Sequence, residues 1–280
     1  MSEGLTIAGL PVEDMRSKPI RYSMMIWGNI GAAKTTLSAT AAAPILFLMW
    51  DHGGADSIRG VGDRFNIIDC TAEEPTLLEM FMSPGAQGCT DLDKLLATGK
   101  YKTVVLDSLT SLMERAMLLG ISKANLGIKT GQRSTIWNPG LTGYGARLTA
   151  TRNVIMNLHA LCARHGVNFI VTAHIRMEKQ LQDDETVRIF NTIAIGGEAY
   201  VSTPKNFSEI WCLREEADGR YIQVRTRGSY GPCRTRMFMT EGKDFRFPWK
   251  FDPYKWEGDT IEGWVKRWET NEQKPIRMPK

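Results

Sequence analysis

Between Met24 and Thr36 the chain reads MMIWGNIGAAKTT, a short apolar run that breaks into Gly28-Asn29-Ile30-Gly31-Ala32-Ala33-Lys34-Thr35. No other stretch restricts the fold as much. An apolar strand that turns through this loop into a helix-forming segment calls for layered α/β architecture with the turn at a strand's carboxyl end. The spacing satisfies G-x-x-x-x-G-K-[ST] at every letter except the second glycine, where Ala33 stands. In such a loop successive backbone N–H groups turn inward to cradle phosphates, the lysine neutralises the terminal phosphoryl group, and the hydroxyl ligates Mg²⁺. Gly28, Asn29, Ile30, Gly31, Ala32, Ala33, Lys34, Thr35 and Thr36 are therefore the candidate nucleotide contacts, with Lys34 catalytic and Thr35 a metal ligand. The helix expected from Lys34 to Ala42 adds its positive end. Ala33 is the weak letter, because a Cβ there restricts positive φ. The bland alternative is a strand-to-helix turn that binds nothing, and the intact Lys-Thr-Thr weighs against it.

Other apolar runs have strand length. Ile45–Trp50 is continuous, as in a parallel strand covered on both faces, and ends in Asp51-His52-Gly53-Gly54. Carboxyl ends of strands are where open α/β sheets put their chemistry. Arg64–Asp69 predicts a further strand, followed by helical material around Glu73–Met82 and Asp91–Thr98. Tyr101–Asp107 is an apolar strand ending in one carboxylate, a second nucleotide motif whose Asp107 would hold the metal's water shell. Asp107-Ser108 also reads as an ordinary cap for a helix over Leu109–Leu119. Leu141–His165 predicts a long helix, and Val167–Ala173 a buried strand ending at His174, a polar group in reach of a γ-phosphate. Phe207–Arg214, Tyr221–Arg227 and Arg234–Met239 predict three strands in series, hence an antiparallel extension.

The chain has 280 residues, 42% of them hydrophobic and 24% charged, enough for one large domain with a small appendage. Five widely spaced cysteines without a C-x-x-C pair argue against a disulfide framework or a zinc site. With no leader pattern and no membrane-length apolar stretch, the expectation is a soluble protein of a reducing compartment with no membrane partner.

The net charge of +4 conceals a strong local bias. Arg115 to Met177 holds eight Lys and Arg and no Asp or Glu. Within it, Gly120–Gly145 has loop composition, with Trp137 and Tyr144 interleaved. Basic side chains with exposed aromatics on a loop suit single-stranded nucleic acid. The candidates are Lys123, Lys129, Arg133, Trp137, Tyr144 and Arg147, joined by Arg176 and Lys179 from a loop or hairpin over Ile175–Ile195. A solvated loop with Trp137 in the core is the alternative. The eight aromatics of Phe245–Trp268 are expected mostly to pack the tail onto the domain or a neighbouring subunit.

With these residues in hand, the chain resembles the RecA-like core ATPases, and more narrowly the phage-encoded AAA-type nucleotide-binding proteins that include the Sak-group single-strand-annealing recombinases. The resemblance rests on GNIGAAKTTL (28–37), LFLMWDHGGADSI (46–58), YKTVVLDSLTSL (101–112), NFIVTAHIRMEK (168–179) and IAIGGEAYVSTPKNFSEIWCLR (193–214), in that order. It implies a RecA-like core over 21–240, between an arm (1–20) and an aromatic tail (241–280). The core would have a mostly parallel central sheet, helices on both faces and an antiparallel C-terminal extension.

Mg²⁺ and ATP would be the cofactors. Gly120–Gly145 and Ile175–Ile195 would be the two DNA-binding loops, and His174 the switch between γ-phosphate and second loop. Asp51 would orient water where relatives carry Glu one residue later. That shift and Ala33 imply slow hydrolysis. Arg225 and Arg227 alternate onto one strand face, and by the resemblance they reach a neighbouring subunit's ATP. Implied partners are single-stranded DNA, further copies of the chain in a ring or filament, and a single-strand-binding protein, all in the host cytoplasm. The rival reading is a nucleotide-dependent assembly or loading factor that touches DNA little.

Overall fold

The computed structural model describes residues 21–71, 76–129, 132–181, 187–196, 203–240 and 245–280. Of the arm expected over 1–20, only the pairing of Thr6–Ile7 with Leu10–Pro11 is described. The central sheet is built from β1 (Ser23–Gly28), β2 (Ile45–Met49), β3 (Phe65–Asp69), β4 (Thr103–Asp107), β5 (Asn168–Leu181), β6 (Val187–Ile193), β7 (Glu209–Glu216), β8 (Gly219–Gln223) and β9 (Arg246–Pro248). Its order is β9-β8-β7-β1-β5-β4-β2-β3, with β6 paired to β5. The six strands from β7 to β3 run parallel, whereas β8 and β9 add antiparallel to β7. This is the α/β architecture expected of the chain, a mostly parallel sheet with an antiparallel extension: β5 stands between β1, which leads into residues 28–35, and β4, which ends in Asp107.

Alternation along fully buried strands divides the core in two. Met25, Trp27, Leu46, Leu48, Val104 and Leu106 face α3 (Gln87–Ala97), α4 (Leu109–Ala124) and α5 (Gly140–Arg164). Met24, Ile26, Ile45, Phe47 and Val105 face α1 (Lys34–Ala39) and α6 (Ile261–Thr270). A short helix, α2 (Thr76–Glu79), adds Leu78 to the first of these cores, and the strand pair β10 (Phe251–Asp252) and β11 (Glu257–Gly258) packs Phe251 against the second. No helix among the described residues is long and apolar enough to cross a membrane.

Several local expectations need correction. The helix expected to Ala42 stops at Ala39, where Thr40 turns its hydroxyl back on Leu37 O at 2.7 Å. β5 does not end at His174. It continues to Leu181 and leaves the parallel sheet to form a hairpin with β6. The acidic middle of that hairpin, 182–186, lies outside the described residues.

Only the two ends of Gly120–Gly145 are helical instead of loop, since α4 runs to Ala124 and α5 starts at Gly140. Gly120 and Gly143 serve helix contact: a Cβ on Gly120 would lie 2.4 Å from Ala146 Cβ and 3.3 Å from Gly143 Cα. Arg234–Met239 forms no ladder, only two isolated bridges, Arg234 with Ile210 and Phe238 with Ile276. Thr235 Oγ1 and the Arg236 N–H instead donate to the buried Glu209 carboxylate, at 2.5 and 2.7 Å. Similarly, β8 ends at Gln223, so Arg225 sits in a bend past the strand.

The tail supplies the second helical layer. Trp264 is buried among Trp211, Phe238 and Phe247, with ring centroids 5.4–5.8 Å away. The Thr260 hydroxyl caps α6, and Thr40 at the end of α1 accepts the Ile261 and Glu262 N–H groups through its hydroxyl and carbonyl. Emptying this aromatic cluster leaves a cavity as well as losing transfer energy. Trp264→Ala is therefore expected to lower stability by about 3–5 kcal/mol, read from the midpoint of guanidinium unfolding. An unchanged midpoint would contradict this packing.

Candidate functional site

Parallel pairing sets the site. Gly28 is in register with His174 and Leu213, and Met49 with Asp107, so the carboxyl ends of β1, β2, β4 and the parallel half of β5 finish at one level. A cavity of about 810 Å³ opens there. Its walls include Ala33, Lys34, Thr35, Asp51, Asp107 and His174. That volume is toward the large end for small-molecule pockets, roughly 300–1,000 Å³.

Gly28 is required by close approach, because a Cβ there would lie 2.1 Å from Leu213 O in the neighbouring strand. Gly31 and Ala33 both adopt positive φ, 80° and 67°. Ala33 therefore does take the conformation that its Cβ disfavours, while that Cβ packs against the α1-side core. Lys34 is buried, and its ammonium donates to Asn29 O at 2.8 Å and Gly28 O at 3.3 Å. Burial pushes its pKa below the usual range, an effect opposed by Asp107 and Asp51.

Asp107 is 2% exposed and holds two hydroxyls. Thr35 Oγ1 donates to its Oδ2 at 2.6 Å, and Thr172 of β5 donates to its Oδ1. Burial raises the Asp107 pKa, and the two hydroxyls counter it. Thr172 was not singled out in the sequence, although a hydroxyl inside the apolar run NFIVTAHI is its visible sign. The peptide after β2 hangs from the same residue, since the Trp50 and Asp51 N–H groups donate to Asp107 O at 2.5 and 3.2 Å.

Asp51 is half-buried, with its Oδ2 3.3 Å from His174 Nε2. That hydrogen bond, foremost, holds its carboxyl below the usual range. Both line the cavity, as does the neighbouring His52, whose ring bonds Arg115 Nη2 at 3.2 Å. A carboxylate introduced at 52 would thus meet a guanidinium. Thr35 and Asp107, in contact and beside a lysine, fit Mg²⁺, which takes one or two protein oxygens and fills its octahedron with phosphate and water. Among the described residues no cluster of three His, Cys, Asp or Glu side chains offers an all-protein metal cage.

The other candidates are scattered. Lys129, Arg133 and Trp137 lie on the connector between α4 and α5, with Trp137 94% exposed. Trp137 is thus not a core residue. Lys123 is on α4 and pairs with Glu79; Tyr144 and Arg147 are on α5, the guanidinium 5.7 Å from the ring. Arg176 and Lys179 are on β5, and Arg176 pairs with Glu178. Arg225 donates to Thr240 O at 2.8 Å, and Arg227 lies 4.9 Å over the Phe245 ring. Neither is among the residues lining the cavity, but Arg220, Tyr254, Lys255 and Trp256 are, and sequence reasoning missed all four.

A family model described as AAA domain matches residues 20–235. No curated protein matches the chain by sequence. Among solved structures, a KaiC-like protein of the hyperthermophilic archaeon Pyrococcus horikoshii is 15% identical, with a TM-score of 0.44 over 85% of this chain and 89% of that one. The RadB recombinase is 12% identical, with a TM-score of 0.45 over 83% and 88%.

Ala33 supplies a test of the loop geometry. A left-handed residue with a Cβ costs roughly 1–2 kcal/mol, partly offset here by packing of the methyl. Ala33→Gly is expected to raise stability by about 0.5–1 kcal/mol, measured by thermal or chemical unfolding. Destabilisation would mean that residue 33 has ordinary helical φ.

Proposed function

The chain belongs to the AAA domain family, and from that premise we propose that it binds Mg·ATP, hydrolyses it slowly, and acts on single-stranded DNA in phage recombination, annealing or replication. One observation carries the nucleotide reading. Lys34, Thr35 and Asp107, from two separate motifs, line one cavity at the carboxyl end of the sheet, with Thr35 bonded to Asp107 at 2.6 Å.

In this reading the phosphates lie along the backbone N–H groups of 28–36, and Lys34 transfers its ammonium from the loop carbonyls to the γ-phosphate. Thr35 and Asp107 hold Mg²⁺, which when bound neutralises charge on the phosphoryl oxygens. Asp51 orients the attacking water. His174 supports Asp51 and, through the continuous β5, links the γ-phosphate to the β5–β6 hairpin. Arg225 and Arg227 act on the ATP of an adjacent copy in a homo-oligomer, where a cation delivered in trans stabilises the developing charge. A cytoplasmic setting and a single-strand-binding partner belong to the same reading.

DNA binding is supported by Lys129, Arg133 and the exposed Trp137 on one connector, a combination that neutralises phosphate and stacks bases. An assembly or loading factor is the second reading, and one feature favours it. Lys123 and Arg176 are engaged by Glu79 and Glu178, while Leu126, Trp137 and Leu141 present apolar surface at 77%, 94% and 93% exposure.

Two experiments test these readings. Lys34→Ala removes the buried cation of the loop and is expected to abolish ATP turnover in a phosphate-release assay; turnover equal to the parent would sink the nucleotide reading. The double charge reversal Lys129→Glu and Arg133→Glu is expected to weaken single-strand binding and to flatten the salt dependence by about 0.7 in log–log slope per lost contact, with ATP affinity intact. A salt series identical to that of the parent would favour the assembly factor.

A further inference from the structure

The phosphate loop occupies one side of the cavity, and a phosphate chain alone would not fill it. The remaining wall comes from a distant part of the sequence: Arg220 at the start of β8, and Pro253, Tyr254, Lys255 and Trp256 in the turn that joins β10 to β11. The turn is anchored on both sides. β9 pairs with β8 immediately before it, and α6 packs into the core immediately after it.

Its aromatic groups are held in place. Trp256 meets Phe251 edge-on at 5.0 Å between ring centroids, and Phe251 stacks on the buried Trp249 at 5.5 Å with the rings 3° from parallel. Trp256 adopts φ of 55°. A bulky side chain in that region is a conformational outlier, tolerated where surrounding contacts over-determine it. Asp252 Oδ1 accepts the N–H groups of Tyr254 and Lys255 at 2.9 and 3.3 Å, which fixes the turn while leaving Tyr254 99% exposed.

Arg220 Nε is buried without a hydrogen-bond partner among the described residues, and its Nη2 is 3.9 Å from Glu215 Oε1. The Arg220 side chain as a whole is 34% exposed on the cavity wall, so its terminal N–H groups are the ones a ligand oxygen can reach.

We propose that this turn is the nucleoside subsite of the pocket: the purine of a nucleoside triphosphate stacks on Trp256 and Tyr254, and Arg220 donates to its ribose or α-phosphate oxygens. The proposal rests on reading the cavity as a nucleotide site, and adds to it a base-binding wall contributed by the C-terminal tail. Aromatic faces bind any purine through its π-surface, so affinity here comes from the base as well as from the phosphates.

The test compares Mg·ATP with magnesium tripolyphosphate on the full chain by titration calorimetry, in the parent, Tyr254→Ala and Trp256→Leu. Loss of one stack is expected to weaken ATP roughly 5- to 150-fold, with tripolyphosphate binding unchanged within about twofold. Tyr254→Ala guards against a folding artefact, because its side chain is solvent-exposed and its removal should leave the unfolding midpoint where it was. ATP affinity unaltered in both variants overturns the subsite, as does an equal loss for both ligands. A parent that binds tripolyphosphate as tightly as ATP overturns the subsite and leaves the phosphate loop standing. A parent that binds neither ligand overturns the nucleotide reading together with the subsite.

Discussion

Asp107 is a carboxylate carried into the interior at the end of a central strand, and the candidate site is arranged around meeting its needs. Taking such a charge out of water costs several kcal/mol. Hydrogen bonds from Thr35 and Thr172, worth about 1.5–3 kcal/mol each when one partner is charged, return part of that cost. The upward direction of its pKa indicates that the hydroxyls do not cancel the burial penalty. A divalent cation on the same oxygens would. The constraint reaches further, because Thr35 must leave the phosphate loop on this side, β5 must lie beside β4 to bring Thr172, and the peptide leading to Asp51 hangs from the Asp107 carbonyl.

The second organising feature is the division of labour between the two faces of the sheet. One face is closed by α3, α4 and α5, from the middle of the chain, and the other is closed only when α6 and the tail aromatics return from beyond residue 245. Trp264 therefore belongs to the same core as Met24 and Phe47, which lead into the site. On its way to that face the tail places its turn, 253–256, in the wall of the cavity that Lys34 and Thr35 also line. Packing and ligand environment thus have one cause, the need to cover a parallel sheet on both sides.

Charge is where local reading and folded context differ most. The acid-free run from Arg115 to Met177 is continuous in sequence, but folding distributes it over α4, the connector, α5 and β5, where Glu79, Asp93 and Glu178 meet Lys123, Arg164 and Arg176. What remains clustered is the short connector with Lys129, Arg133 and Trp137. Of the glycines that gave Gly120–Gly145 its loop character, Gly120 and Gly143 work instead as contact points of the α4–α5 hairpin, since absence of a side chain has the same sequence signature in a turn and at a close helix crossing.

The sequence by itself determined the strand that enters the phosphate loop, the loop's lysine and hydroxyl, the paired carboxylate Asp107, and the strands that place them on one parallel sheet. These are local properties: apolar runs of strand length, a fixed spacing of backbone-permissive residues, and a polar residue at each strand's carboxyl end. It also indicated the antiparallel extension, though the third strand is Arg246–Pro248 and not Arg234–Met239. Only the tertiary structure decided that Thr172 shares Asp107, that Asp51 faces His174 while His52 faces Arg115, and that Arg220 and Trp256 line the cavity. Each of those depends on contacts between residues tens to hundreds of positions apart. Periodicity and spacing carry no record of such a contact until the sheet order and the covering of its second face bring the partners together.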